Sequence, residues 1–216
     1  MFAPFIVWGD GFTLGSGPER RLLQIKPGPQ EFTVSRISVV SQQSANPVQA
    51  ELYRAIEAKL GVVPNFLKVM ANSPAALKAF LGLYEITQEG SLESQTRERI
   101  ALAMAQENAC EYCLSAHTAI GRKHGLSDGE IQANRAGTSQ DAKAAVAVKL
   151  ARSLLENRGE VTTSELQEAR EAGYSDSDIV EIIVHVALNT LTNILGKASR
   201  VDIDFPKVSL AQKVTA

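Results

Sequence analysis

The sequence predicts an all-α protein, and three observations carry that expectation. Apolar residues recur at helical spacing through most of the chain after Pro47. Helix start signals, Ser or Thr followed three residues later by Glu or Asp, stand before several of these runs. No convincing run of alternating strand residues is present after position 40. With 216 residues, 44% of them hydrophobic, the chain is long enough to bury one substantial core.

The elements follow in order. Residues 47–60 carry Leu52, Ile56 and Leu60 at four-residue spacing, and Gly61 stops the run. Ser73-Pro74 reads as an N-cap with a first-turn proline and opens a helix from Ala75 to Thr87. Leu92 to about Glu107 places Ile100, Ala103 and Met104 on one face, and a helix from Cys113 to Lys123 ends at Gly125. Ser127 to Glu130, Thr162 to Glu165 and Ser175 to Asp178 each fit a capping box, which predicts helices at 127–136, 162–172 and 175–195 beside one at 140–157. The stretches Gly125 to Ile131 and Gly173 to Ile179 echo one another, as a glycine C-cap followed by a serine N-cap would by itself produce.

Residues 1–34 differ from the helical domain expected over 35–216. Five of the fifteen glycines and four of the eight prolines fall there, a composition of turns and extended arms. The segment reads as a poorly ordered leader, or as an arm packing on a neighbouring subunit through Phe2, Phe5, Trp8 and Phe12. Its apolar start lacks a basic leader, since the first Lys or Arg is Arg20, so no secretory signal is expected. No window is expected to reach the ~20 apolar residues of a membrane span. A net charge of -2 gives no electrostatic footprint for nucleic acid or an anionic membrane. A cytoplasmic protein without nucleic-acid or membrane partners is the expectation.

The chemistry concentrates in one place. The only two cysteines form Cys110-Glu111-Tyr112-Cys113, and His117 follows four residues later. Residues three and four apart share a helix face, roughly 5–6 Å between Cβ atoms, so the two sulfurs can meet and His117 lies one turn beyond Cys113. The first turn of a helix offers free N–H groups and a positive dipole end, both of which favour thiolate. Such a thiolate attacks a peroxide oxygen, becomes a sulfenic acid and condenses with a second thiol, after which an external dithiol must reduce the disulfide.

Glu98, eleven intervening residues and then Cys110-x-x-Cys113-x-x-x-His117 resemble the signature of the alkylhydroperoxidase AhpD branch of the carboxymuconolactone decarboxylase superfamily. Gly61-Val62-Val63-Pro64-Asn65-Phe66 and Arg97-Glu98-Arg99-Ile100-Ala101 are similar to its peroxidase-related members, and the resemblance spans roughly residues 50–200. It implies a helical bundle with the C-x-x-C on a helical hairpin, assembled as a trimer or hexamer, with a small hydroperoxide substrate, a dithiol or protein reductant and no cofactor. Carried over, Cys113 forms the sulfenic acid, Cys110 is its proton donor and resolving partner, and His117 with Glu98 is the proton relay. Tyr112 stands where several members have histidine, which bears on efficiency and substrate preference.

Other uses of the same residues make different demands. A straight helix from Glu98 to Cys110 would separate them by ~18 Å, so the relay requires a bend near Asn108-Ala109; without one, Glu107 or Glu111 is the better carboxylate. A structural zinc site would need a further ligand, and only His124 and His185 remain to supply a histidine, so no metal is expected. A decarboxylase of the superfamily would not depend on the cysteines, and a redox sensor would react once per chain. His185, Asn189 and Asn193 form a polar stripe on an otherwise apolar helix; they either tie helices or a second copy together, or line the far wall of the thiol pocket.

Overall fold

A computed structural model describes residues 35–211, and the expectations about residues 1–34 lie outside them. The described residues form nine α-helices and no strand. These are α1 (Pro47–Leu60), α2 (Asn65–Met70), α3 (Pro74–Ile86), α4 (Ser94–Glu107), α5 (Glu111–Lys123), α6 (Asp128–Arg135), α7 (Ala142–Glu156), α8 (Thr163–Glu171) and α9 (Asp176–Ser199).

Most helix starts are set by side chains. Asn46 caps α1 in a reciprocal box with Gln49, and Ser73, Asp141, Thr162 and Ser175 cap α3, α7, α8 and α9. The box expected at Ser127 is only half formed. Ser127 accepts the Glu130 N–H, but the Glu130 carboxylate is taken by Arg99 on α4 and does not reach back. Three further departures from the sequence reading occur: the short α2 behind Pro64, an α5 that starts at Glu111, and an α9 that continues to Ser199. At 24 residues α9 is long and apolar enough, by length and composition, to cross a membrane, contrary to expectation. It packs here against α4, α5 and α7 as a core helix does.

Helix α4 is central. Ile100, Leu102 and Met104 are fully buried, and the helix touches α5, α6, α7 and α9. One apolar cluster gathers α1, α2 and the motif residues Cys110, Tyr112, Cys113 and Leu114, together with Val201 after α9. A second joins α4 to α7, α8 and α9. Truncating any of the three α4 side chains to alanine would cost about 2–5 kcal/mol. After α9, whose end is marked by Arg200 in the left-handed region (φ 49°), the chain runs without helix to residue 211. That segment lies along α5, where the Val208 N–H donates to Ser115 Oγ at 2.9 Å.

Candidate active site

The site begins with a sharp turn. Helix α4 ends at Glu107, Ala109 takes a left-handed conformation (φ 52°), and Cys110 becomes the N-cap of α5. A non-glycine residue there is strained by ~1 kcal/mol. The turn lays α5 against α4 and brings residue 117 back beside residue 98. His117 Nδ1 and Glu98 Oε2 are 2.9 Å apart. The bend required of the chain is therefore present, and Glu98 is the carboxylate that meets the histidine.

Cys110 and Cys113 are joined as a disulfide, with their Cα atoms 5.3 Å apart. As N-cap, Cys110 Sγ also accepts the Cys113 N–H at 3.3 Å. His117 follows Cys113 by one turn of α5, though among the described residues no hydrogen bond links its ring to either sulfur. Because Nδ1 faces Glu98, Nε2 is the ring atom left for a proton exchange.

Both sulfur residues are nearly sealed, Cys110 at 1% exposure and Cys113 at 4%. Part of the cover is α9. A Cβ added at Gly196 would lie 2.9 Å from Cys110 Sγ and 3.5 Å from Cys113 Sγ, so only glycine lets the helix approach this closely. Gly196 escaped the sequence reading; its signal was a lone glycine inside an apolar helix.

Tyr112 faces elsewhere. Its hydroxyl donates to Asp204 Oδ2 at 2.7 Å and accepts the Phe66 N–H at 3.3 Å, while its ring lies 5.8 Å from Phe66 and 5.9 Å from Phe205. Burial, reinforced by the Asp204 charge and hydrogen bond, raises the phenol far above its ordinary range, so it stays protonated. Burial also pushes Asp204 upward, against the hydrogen bonds it receives from Tyr112 and the Asn65 N–H. Tyr112 thus ties α5 to α2 and to the C-terminal segment, and the structure does not bring it together with His117. Asp204 has no sequence signal, being one acid in an irregular tail.

On α9, His185 is buried, and its pKa is pushed down to about 4 by burial and the Arg97 charge, against the opposing charges of Glu181 and Glu98. It is neutral at pH 7 and lies within the electrostatic reach of the Glu98 carboxylate. Asn189, also buried, donates to the His185 carbonyl at 2.8 Å, a bond within its own helix. Asn193 accepts from Asn108 Nδ2 at 2.8 Å, which ties α9 to the turn before Cys110. Among the described residues no three His, Cys, Asp or Glu side chains gather as a metal site.

The family model of the carboxymuconolactone decarboxylase family matches residues 74–156, the stretch that holds Glu98, Cys110, Cys113 and His117. A solved uncharacterized peroxidase-related protein from Silicibacter sp. TM1040 is 26% identical, covers 82% of this chain and 94% of its own, and superposes with a TM-score of 0.69. Over residues 74–156 the chain is thus similar to the carboxymuconolactone decarboxylase family, and its fold is that of solved peroxidase-related proteins. A second solved structure, an alkylhydroperoxidase AhpD core protein from Ralstonia eutropha JMP134, shares the AhpD-like fold at 22% identity and a TM-score of 0.72, covering 79% of this chain and 92% of its own. Among curated proteins, an uncharacterized protein of Cupriavidus necator is 40% identical over 52 residues, 24% of this chain. The uncharacterized protein YdfG of Bacillus subtilis is 30% identical over 59 residues, 27% of this chain. The chain spans less than half the length of these two relatives, 46% and 40% respectively.

Proposed function

We propose that the protein is a thiol-dependent hydroperoxide reductase. The observation that carries this reading is the bonded Cys110–Cys113 pair one helical turn from His117, whose Nδ1 is held by Glu98. In the reduced enzyme His117 takes the Cys113 proton. The thiolate attacks the terminal oxygen of the hydroperoxide, an S–O bond forms as the O–O bond breaks, and the leaving alkoxide takes the proton from His117. Cys110 then gives up its proton and attacks the Cys113 sulfur, the S–S bond forms as the S–O bond breaks, and the departing hydroxide takes that proton to leave as water. An external dithiol supplies the two electrons and two protons that reopen the pair. No cofactor enters the cycle, and a reducing, cytoplasmic setting suits it.

The test is peroxide consumption with a panel of dithiols. The wild type is expected to turn over repeatedly and Cys113→Ser to lose all dithiol-dependent consumption. Full activity in that variant would overturn the reading. Activity that survives thiol alkylation would instead point to the lyase chemistry for which the superfamily is named. The near-complete burial of both sulfurs supports a second reading, a sensor whose disulfide changes shape without turning over. A sensor consumes one peroxide per chain even with dithiol present, so stoichiometry separates the two.

Self-association as a trimer or hexamer is part of the same proposal. The outward face of α9 exposes Val180, Ile183, Leu191 and Ile194, an apolar stripe that a second copy would cover.

A further inference from the structure

The buried polar stripe of α9, His185, Asn189 and Asn193, contains a group that the fold leaves unsatisfied. Asn193 is 1% exposed and its Nδ2 has no hydrogen-bond partner, while its oxygen is occupied by Asn108. A buried donor left unpaired costs about 1–3 kcal/mol, so a purely structural site would be better served by an apolar side chain of the same shape. Its position gives the donor a use. Gly196, three residues further on the same face of α9, is the residue pressed against both sulfurs. Asn108, which fixes the amide, lies two residues before Cys110. The donor is therefore held about one helical turn of α9 from the glycine that meets the disulfide.

We propose that Asn193 Nδ2 binds the oxygen that leaves when Cys113 attacks a hydroperoxide, making α9 the third helix of the active site. This inference rests on the peroxidase reading above. In the attack the sulfur loses two electrons to the O–O bond, S–O forms, and negative charge gathers on the departing alkoxide oxygen. The Asn193 N–H groups stabilise that charge until His117 delivers the proton. The free amide then has no partner in the resting disulfide form because its partner is the substrate.

The experiment compares wild type with Asn193→Leu, which keeps the branched shape and removes the donor, and with Asn193→Ala should the bulkier leucine variant fold poorly. The rate of disulfide formation by added hydroperoxide is measured in the pre-reduced proteins, alongside alkylation by iodoacetamide and the melting temperature. Iodide leaves without needing a hydrogen-bond donor. Peroxide-driven oxidation is expected to fall on the order of 10- to 100-fold, with alkylation within about twofold of wild type. The leucine variant is expected to melt close to the wild type, since removing the unpaired Nδ2 donor offsets the loss of the Asn108–Asn193 bond. An unchanged peroxide rate, or a parallel loss of both rates, would overturn the assignment of Asn193 and leave the peroxidase reading intact. A wild type whose thiols ignore peroxide altogether would remove both.

Discussion

Glu98 and Arg99 are consecutive residues of α4, yet they lead to two different kinds of carboxylate. Arg99 reaches α6, where its Nε lies 2.7 Å from Glu130 Oε1. The Glu130 carboxylate also accepts from Asn134 Nδ2, Ser139 Oγ and the Gln140 N–H. Burial works against the charge, but these hydrogen bonds outweigh it and hold the Glu130 pKa down at about 2. Among the described residues Glu98 has a single hydrogen-bond partner, His117, and both side chains keep some exposure, 12% and 20%. A saturated carboxylate is fixed in one protonation state and serves as a staple. A carboxylate with one partner and spare lone pairs can follow that partner through a proton transfer. The two pairs look alike in sequence and differ in how many donors the fold aims at them.

The contrast breaks cleanly by mutation. Glu98→Gln is expected to lower peroxide consumption roughly 10²- to 10⁴-fold while moving the melting temperature little, because only the proton relay is lost. Glu130→Ala is expected to do the reverse. It leaves Arg99 buried without its counter-charge, at about 3–5 kcal/mol, and should leave the activity of the folded fraction close to wild type. Kinetics and thermal melts on the same two samples decide the matter; a Glu98 variant that unfolds, or a Glu130 variant that is inactive while folded, would erase the distinction.

Acid titration sharpens it further. The Glu130 pKa is depressed in the folded state, so its contribution is complete above about 4.5 and is lost as pH falls toward 2. His185 is depressed as well, from 6.5 to about 4, so the unfolded chain binds its proton first and stability declines as pH falls through that window. The melting temperature is expected to fall in two overlapping stages. His185→Gln should remove the earlier one and Glu130→Gln shrink the later one, which Glu165, Asp178 and Glu181 share, measured by calorimetry between pH 7 and pH 2.5. A smaller effect concerns the exposed side of α9: Ile194→Asp should lower the molecular mass measured by light scattering without altering the melt of the monomer.

Much of this arrangement was legible beforehand, for definite reasons. Helix order follows from caps such as Ser73, Thr162 and Ser175, whose chemistry is local. The cysteines and His117 were readable because they lie within one helix, where spacing fixes geometry. The pairing of Glu98 with His117 depended on a turn at Ala109 that no glycine advertises. The half-formed box at Ser127 was misread because a tertiary partner, Arg99, outcompeted the local hydrogen bond for Glu130. Gly196 and Asp204 act on the motif from far along the chain, and nothing near them in sequence announces it.

The place of Cys110 has one more consequence. Helix beginnings favour an oxygen from Ser, Thr, Asp or Asn, whereas α5 begins on sulfur. A reduced Cys110 sulfur, most of all once its proton has left, accepts the Cys113 N–H better than a bonded sulfur does, so oxidation and reduction alternately loosen and tighten the first turn of α5. Amide hydrogen exchange at that turn should therefore report the oxidation state directly, slow in the reduced protein and faster in the oxidised one.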